Sequence, residues 1–327
     1  MPVQAKLLAL VLCVAVLVGC KTKADANSVP VPSAADVTSA QQAKAQASAD
    51  DAPPPEKTGG FDGKRAFAHV VKQVGFGPRP SGSAAIGQLQ EYIQNELTSY
   101  GCKVDVDSFT ADTPAGRLPM KNIVAKVPGE KPGIIMLTTH YDTKLLDNFV
   151  GANDGGSSTA VMLELARLLC AKRDRYAVWI TFFDGEEAVK EWTETDSRYG
   201  SRQMAAKMAM NGDLTKIKAF LLADIVGNRP LRFMREGNST PALTDLVWKT
   251  AAALGYSSVF VGQETPIEDD HLPFRKRGVP VVDVIDLVEI QNTYWHTPQD
   301  TLDKISAKSL AITGHVFLES VKQLQAK

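Results

Sequence analysis

Four apolar segments without alternation constrain the fold of this chain more than any other feature of its sequence. They are residues 134–137, 177–183, 219–223 and 279–285. A strand with one face in water alternates apolar and polar side chains, whereas continuous apolar runs are typical of a sheet covered on both faces. Helix-like segments separate the runs, and the clearest, after Gly155-Gly156-Ser157, carries one apolar stripe of Val161, Met162, Leu165, Leu168 and Leu169. This order predicts a largely parallel, doubly wound α/β sheet in one domain.

Further elements surround this core. Helical patterns cover 62–74, 84–99 and 307–323, whereas 103–109 and 122–127 have the character of strands. The chain has 44% apolar and 22% charged residues, which is ordinary for a globular protein and excludes collagen, coiled coil and complete disorder. The 36 basic residues balance 37 acidic ones, so the chain lacks the cationic footprint of a nucleic-acid-binding protein. We expect no nucleic-acid partner.

The N-terminus differs from the rest of the chain. Lys6 precedes an apolar run at 7–18, which is too short to span a bilayer core of about 30 Å but typical of a signal peptide. The run ends in Leu17-Val18-Gly19-Cys20, which resembles a bacterial lipobox. We therefore expect residues 1–19 to be removed and Cys20 to carry the lipid that holds the protein to a membrane. A plain signal peptide or a chance cysteine is the alternative.

Residues 20–60 have the composition of a tether. Ala, Ser, Gln, Asp and Lys dominate, three consecutive prolines occur at 53–55, and no aromatic residue is present. Such a segment buries too little surface to offset its chain entropy. We expect a flexible linker that ends near Phe61, a catalytic domain over 61–327, and a location in the bacterial cell envelope, facing the periplasm or the exterior. Export permits a disulfide between Cys102 and Cys170, but their spacing does not decide whether they pair.

Histidines and carboxylates follow the predicted strands. Ligands of open α/β sheets bind beyond the carboxyl ends of the strands, so these positions are candidates for a site. They are His140, Glu186, Glu187, Asp224 and His296, together with Asp154 in the glycine-rich loop before the clearest helix. Taken singly, each has an ordinary interpretation as a turn residue, a cap, surface charge or a hydrogen-bonded core histidine. Together, mixed His and carboxylate groups on one rim predict a catalytic zinc with an open position. For His69 and His315, inside helical segments, we expect structural roles.

Six segments of the chain span most of 61–327: HYDTK at 140–144, FVGAND at 149–154, FFDGEEA at 182–188, DSRYGSR at 196–202, EDDHLPF at 268–274 and WHT at 295–297. In content and order they resemble those of animal-type glutaminyl-peptide cyclotransferases, relatives of the zinc aminopeptidases of family M28. The resemblance implies the zinc-exopeptidase fold, a single three-layer α/β domain with a central mixed, largely parallel sheet flanked by helices. It also implies cyclisation of N-terminal glutamine on peptides or proteins to pyroglutamate, with release of ammonia.

The resemblance carries over to individual positions. It implies one zinc ion bound by Asp154, Glu187 and His296, with Glu186 as general acid and base. Asp224 and Asp269 match the family's other catalytic acids. Trp192 and Trp295 match residues that line the substrate pocket. His140 has a supporting role or belongs to a second metal site.

One departure and two rival functions follow. Asp283 stands where the animal enzymes have a histidine that supports the inner carboxylates, which leaves the charge of Asp269 open. In a two-zinc aminopeptidase, His140, Asp154, Glu187, Asp224 and His296 would all bind metal, and Glu186 would activate a hydroxide. The second rival is a lipoprotein that binds peptides without catalysis.

Overall fold

The structure is a computed structural model, and it describes residues 51–326. The predicted signal peptide, Cys20 and most of the predicted tether lie outside the described residues. No helix in the described part of the chain combines the length and apolarity that a membrane span needs.

Six strands form the central sheet in the spatial order β1-β2-β4-β3-β5-β8. Their bounds are β1 Lys103–Thr113, β2 Gly116–Val127, β3 Gly129–His140, β4 Asp174–Phe183, β5 Ile217–Asp224 and β8 Val281–Ile285. The strands β1 and β2 form an antiparallel hairpin, β2 joins β4 antiparallel, and the remaining neighbours are parallel. Two short strands, β6 Phe233–Glu236 and β7 Phe260–Thr265, pair with each other outside this sheet.

Helices cover both faces of the sheet, which confirms the three-layer prediction. They are α1 Gly63–Val74, α2 Ala84–Ser99, α3 Gly156–Leu169, α4 Tyr199–Met210, α5 Pro241–Ala253, α6 Leu272–Arg275 and α7 Ala307–Ala326. Alternate residues of β3 enter two different cores: Ile135 and Leu137 pack with the layer that contains α3 and α7, whereas Ile134 and Met136 pack with α4 and α6. Both faces of the strand are therefore apolar, which explains why its sequence does not alternate.

The structure answers the question about the cysteines and corrects one boundary. Cys102 and Cys170 form a disulfide, which ties the start of β1 to the end of α3. Residues 51–60, which the sequence assigns to the flexible linker, lie against the domain. Asp51 accepts hydrogen bonds from Lys308 N in the first turn of α7 at 2.9 Å and from Arg229 at 2.8 Å. Composition predicts a tether here because it does not register the unpaired N–H groups that a helix start offers to a carboxylate.

Candidate active site

Three parallel strands deliver chemical groups to one edge of the sheet. His140 ends β3, Asp224 ends β5, and a short loop from the end of β4 carries Glu186 and Glu187. Because β3, β4 and β5 run in the same direction, their carboxyl ends meet at this edge. The convergence predicted from the sequence is therefore present.

Asp154, Glu187 and His296 form a group able to hold a metal ion, since one ligand atom from each lies within 4.8 Å of the others. His296 Nε2 is 3.1 Å from Glu187 Oε1 and 3.3 Å from Asp154 Oδ2. Two buried oxygens, Asp154 Oδ2 and Glu187 Oε2, have no hydrogen-bond partner. One imidazole and two carboxylates, each carboxylate with an unsatisfied oxygen, suit a catalytic zinc that keeps a position open.

A second group, His140, Asp154 and Asp224, adjoins the first and shares Asp154 with it. His140 Nε2 lies 3.0 Å from Asp224 Oδ1 and 3.3 Å from Asp154 Oδ1. Burial works to lower the pKa of His140, but the three carboxylates around it outweigh that effect and raise its pKa well above the usual value. His140 Nε2 is thus placed between the carboxylates of Asp154 and Asp224.

Two carboxylates that the sequence did not single out hold the backbone of the metal-binding group. Asp142 accepts hydrogen bonds from the N–H groups of Glu186 at 3.1 Å and Glu187 at 3.3 Å. Asp300 accepts hydrogen bonds from Asn153 N at 2.8 Å and Asp154 N at 3.0 Å. Asp142 lies within the HYDTK segment, so the resemblance could have identified it, whereas nothing in the local sequence marks Asp300.

Backbone conformation fixes the loops between these carboxylates. Gly155 has φ 73° and directly follows Asp154, and a Cβ there would meet the carbonyl oxygen of Asp142 at 2.7 Å. His296 and Ile225, which both line the site, have φ 51° and 48°, in the left-handed region that non-glycine residues rarely adopt. Such strained residues cluster at functional sites, where the surrounding structure over-determines them.

Three further acids of the site, Glu186, Asp224 and Asp269, are buried. Burial raises the pKa of Glu186, Asp224 and Asp269, and the charges of neighbouring carboxylates raise each of these pKa values further. For Asp269 those neighbours are Asp224 and Asp270, which together with burial raise its pKa well above the usual range. Acids with raised pKa values in a pocket can accept and return protons near neutral pH.

A buried group of one histidine and two acids lies next to Asp269, and it includes Asp283, which stands in place of the animal histidine. His271 Nε2 is 3.2 Å from Glu236 Oε2, its Nδ1 is 3.6 Å from Asp283 Oδ2, and all three side chains are fully buried. Burial and then the charge of Asp269 raise the pKa of Asp283 well above the usual range. The animal enzymes place a histidine at the position of Asp283, whereas this chain places His271 beside the acids from another position in the sequence. Neither Glu236 nor His271 was predicted from the sequence as part of the site.

A pocket of about 460 Å³ opens above these groups, lined by every predicted metal-binding, catalytic and substrate-binding residue except His140, which lies behind it. The indole N–H of Trp192 donates to Glu268 at 3.0 Å, and Arg198 lies 5.1 Å above the same ring. The ring of Trp295 stacks on His296 with centroids 3.9 Å apart. The two predicted indoles therefore form walls of the pocket.

The remaining histidines have structural partners, as expected. His69 Nδ1 lies 2.6 Å from the hydroxyl of Tyr92, and His315 Nδ1 lies 3.1 Å from the hydroxyl of Tyr256. Neither histidine belongs to a potential metal-binding group of the described residues.

Residues 122–321, more than half of the chain, match the model of peptidase family M28. The chain is 30% identical over 271 residues to the glutaminyl-peptide cyclotransferase of Drosophila melanogaster, which covers 73% of this chain and 76% of that protein. Among solved structures, an Acidobacteriales bacterium glutaminyl cyclase is 44% identical with a TM-score of 0.77, covering 81% of this chain and 95% of that one. A Zn-dependent exopeptidase from Parabacteroides distasonis is 28% identical with a TM-score of 0.71, covering 79% of this chain and 97% of the other.

Proposed function

The chain belongs to peptidase family M28 and to its glutaminyl-peptide cyclotransferases, and on that premise we propose that it converts N-terminal glutamine of peptides or proteins to pyroglutamate. The observation that carries the proposal is the pairing of two kinds of acid in one pocket. Asp154 and Glu187 face His296, where a cation can bind. Glu186, Asp224 and Asp269 line the same pocket and have raised pKa values, which suits them to carry protons.

In the reaction, the α-amino nitrogen of glutamine attacks its own side-chain carbonyl carbon. A C–N bond closes the five-membered ring, the bond to the amide nitrogen breaks, and that nitrogen leaves as ammonia. Asp154, Glu187 and His296 would hold one zinc ion, whose Lewis acidity supplies polarisation of the carbonyl. The M28 family match and the Zn-dependent exopeptidase neighbour support this choice of metal.

Glu186 is the group that moves the proton. Its carboxylate accepts a proton from the attacking amine and donates it to the departing nitrogen, so that no net proton enters or leaves. Asp224 accepts a hydrogen bond from the amide nitrogen of the substrate, and Asp269 steadies that contact. Trp192 and Trp295 cover the glutamine side chain and exclude water, which would otherwise compete with the amine.

The rival activity is that of a two-zinc aminopeptidase, and one observation favours it. The group His140, Asp154 and Asp224 adjoins the first group and shares a carboxylate with it, as a two-metal site requires. The relatives named as cyclotransferases favour the cyclase instead. The two activities leave different products from the same peptide.

Mass spectrometry of the products tests the proposal. The purified protein is incubated with a short peptide that begins with Gln and, as a control, with the same peptide beginning with Ala. We expect the Gln peptide to lose the mass of one ammonia and the Ala peptide to stay intact. Release of a free amino acid from either peptide would instead assign the protein to the aminopeptidases.

The cellular setting is part of the proposal. The lipobox-like segment supports a lipid on Cys20 as the link to the membrane, and with it a location in the bacterial cell envelope, facing the periplasm or the exterior. Peptides and proteins with N-terminal glutamine are then the partners that reach the pocket, and nucleic acid is not among them.

A further inference from the structure

One wall of the pocket carries two lysines. Lys144 and Lys190 both line the pocket. Lys144 Nζ donates to the carbonyl oxygen of Ala188 at 3.2 Å and lies 3.6 Å from Glu187 Oε2, so it is attached to the loop that carries Lys190. The backbone N–H of Lys190 donates to Asp196 Oδ2 at 2.9 Å. The two cations therefore occupy neighbouring places on a wall with a fixed backbone.

Lys190 is the cation of this wall that lacks an ion pair. No carboxylate in the described part of the chain lies within 4.0 Å of its ammonium, whereas Lys144 has Glu187 nearby. Glu268, the acid at the upper edge of the pocket, is already engaged: it accepts hydrogen bonds from Trp192 at 3.0 Å and from Arg198 at 3.2 Å. Lys190 is thus available to a charge that the substrate brings.

The other walls offer no matching site for a basic substrate. Apart from the engaged Glu268 and the acids at the bottom of the pocket, the lining is largely apolar, with Ile225, Pro266, Ile267, Leu287 and Val288. In the proposed reaction the acids at the bottom surround the glutamine side chain and its amine. The side chain of the next residue therefore meets the lysines and the apolar surface.

We propose that Lys190, with Lys144 beside it, makes the enzyme prefer substrates whose second residue, directly after the N-terminal glutamine, is Glu or Asp. This inference rests on the proposed cyclase function and names the class of peptide that the pocket favours. An ion pair in a partly exposed position changes binding about two- to fivefold, so the preference is graded rather than absolute. It weakens as salt screens the charges.

The test compares three peptides that differ only in the second residue: Gln-Glu-Ala-Ala, Gln-Gln-Ala-Ala and Gln-Lys-Ala-Ala. kcat/KM is measured for the unaltered enzyme, for Lys190→Gln and for Lys190→Glu, at low and at high salt. Lys172→Glu is the matched control. Lys172 is also exposed and without an ion pair among the described residues. It lies away from the pocket, because the helix α3 starts beside Asp154 and Lys172 follows the opposite end of that helix.

We expect the unaltered enzyme to rank the peptides Glu, Gln, Lys, with high salt reducing the differences. Lys190→Gln should bring the three values together, and Lys190→Glu should reverse the order of the Glu and Lys peptides. Lys172→Glu should keep the original order. The inference is wrong if Lys190→Glu leaves the Glu-to-Lys ratio unchanged, or if Lys172→Glu shifts it equally. Failure of the unaltered enzyme to cyclise any of the three peptides would be a different result, because it would contradict the proposed function itself.

Discussion

Glu186 and Glu187 are adjacent in the chain but face different partners. Glu187 Oε1 lies 3.1 Å from His296 Nε2. The pKa of Glu186, in contrast, is raised by burial, lowered by the charge of His140 and raised by that of Asp269. Asp142 accepts hydrogen bonds from the backbone N–H groups of both glutamates and so fixes the orientation of the pair. This geometry supports separate roles for two residues of the same type, one that binds metal and one that moves protons.

Nearly isosteric substitutions separate the two roles. Glu187→Gln removes an anionic ligand, so we expect both the zinc content and the activity to fall. Glu186→Gln should keep its zinc and its fold but lose about 10²- to 10⁴-fold in kcat, the usual contribution of general acid and base catalysis. Metal analysis and kinetics on both variants check this. A metal-free Glu186→Gln beside a fully loaded Glu187→Gln would mean that the roles are reversed.

His271 lies between two fully buried acids, 3.2 Å from Glu236 and 3.6 Å from Asp283. Removing the imidazole leaves buried carboxyl groups without their partner, which costs about 3–5 kcal/mol. We expect His271→Gln to lower the free energy of unfolding at neutral pH by about this amount, measured by urea denaturation. The control is His315→Gln, which removes one hydrogen bond, to the hydroxyl of Tyr256. Equal, small effects in both variants would show that His271 does not stabilise the two acids.

At the residue scale, the sequence identifies groups that do chemistry better than groups that position them. Asp154, Glu187 and His296 are recognisable because their types suit a metal and their segments match a family. Asp300 and Glu236 are not recognisable, because their partners are distant in the chain. Asp300 accepts hydrogen bonds from two backbone N–H groups, and Glu236 accepts one from a backbone N–H group and lies beside His271. Such contacts exist only once the chain is folded.

The loop from Ala188 to Arg198 is the element that shapes the mouth of the pocket. Asp196 accepts hydrogen bonds, each at 2.9 Å, from the N–H groups of Val189, Lys190 and Glu191. These bonds and a hydroxyl donated by Tyr199 outweigh the effect of burial and lower the pKa of Asp196. The carboxylate therefore stays ionised and holds the loop near neutral pH.

Asp196→Asn should loosen this loop without touching the metal-binding group. Because an amide accepts the three N–H bonds less strongly than a carboxylate, we expect KM to rise severalfold while zinc content stays the same and kcat changes less. Asp213→Asn, in an exposed ion pair with Lys216, is the control and should leave both constants unchanged. An Asp196→Asn enzyme with normal KM would show that the loop does not depend on this carboxylate.

Helices and strands with a buried face were predicted better from the sequence than short, partly exposed ones. The helix at 84–99 was predicted at both ends, and the four core strands were each located, because their patterns reflect one or two covered faces. The run at 134–137, however, covers only part of β3, which spans Gly129–His140. The strands β6 and β7 were not predicted, since each is short and half-exposed and pairs outside the main sheet. β1 extends to Thr113, beyond the predicted end at 109, because its partner β2 continues the ladder past the apolar residues.

The whole molecule is expected to work at a membrane, and the lipidation of Cys20 is the prediction that belongs to this scale. Cys20→Ser should block lipid attachment, so that the protein appears in the soluble fraction or keeps its signal peptide. Fractionation and gel mobility of the variant beside the unaltered protein provide the measurement. A variant that still partitions with membranes at its original mobility would contradict lipid anchoring.

The central claim is that this molecule removes ammonia from glutamine within an intact peptide. It is tested most directly with a peptide whose N-terminal glutamine carries ¹⁵N in the side-chain amide. We predict that the label appears as free ammonium at the rate at which the peptide loses the same mass, with every residue retained. Label found instead in released glutamine, with a peptide shortened by one residue, would contradict the account and identify hydrolysis as the reaction.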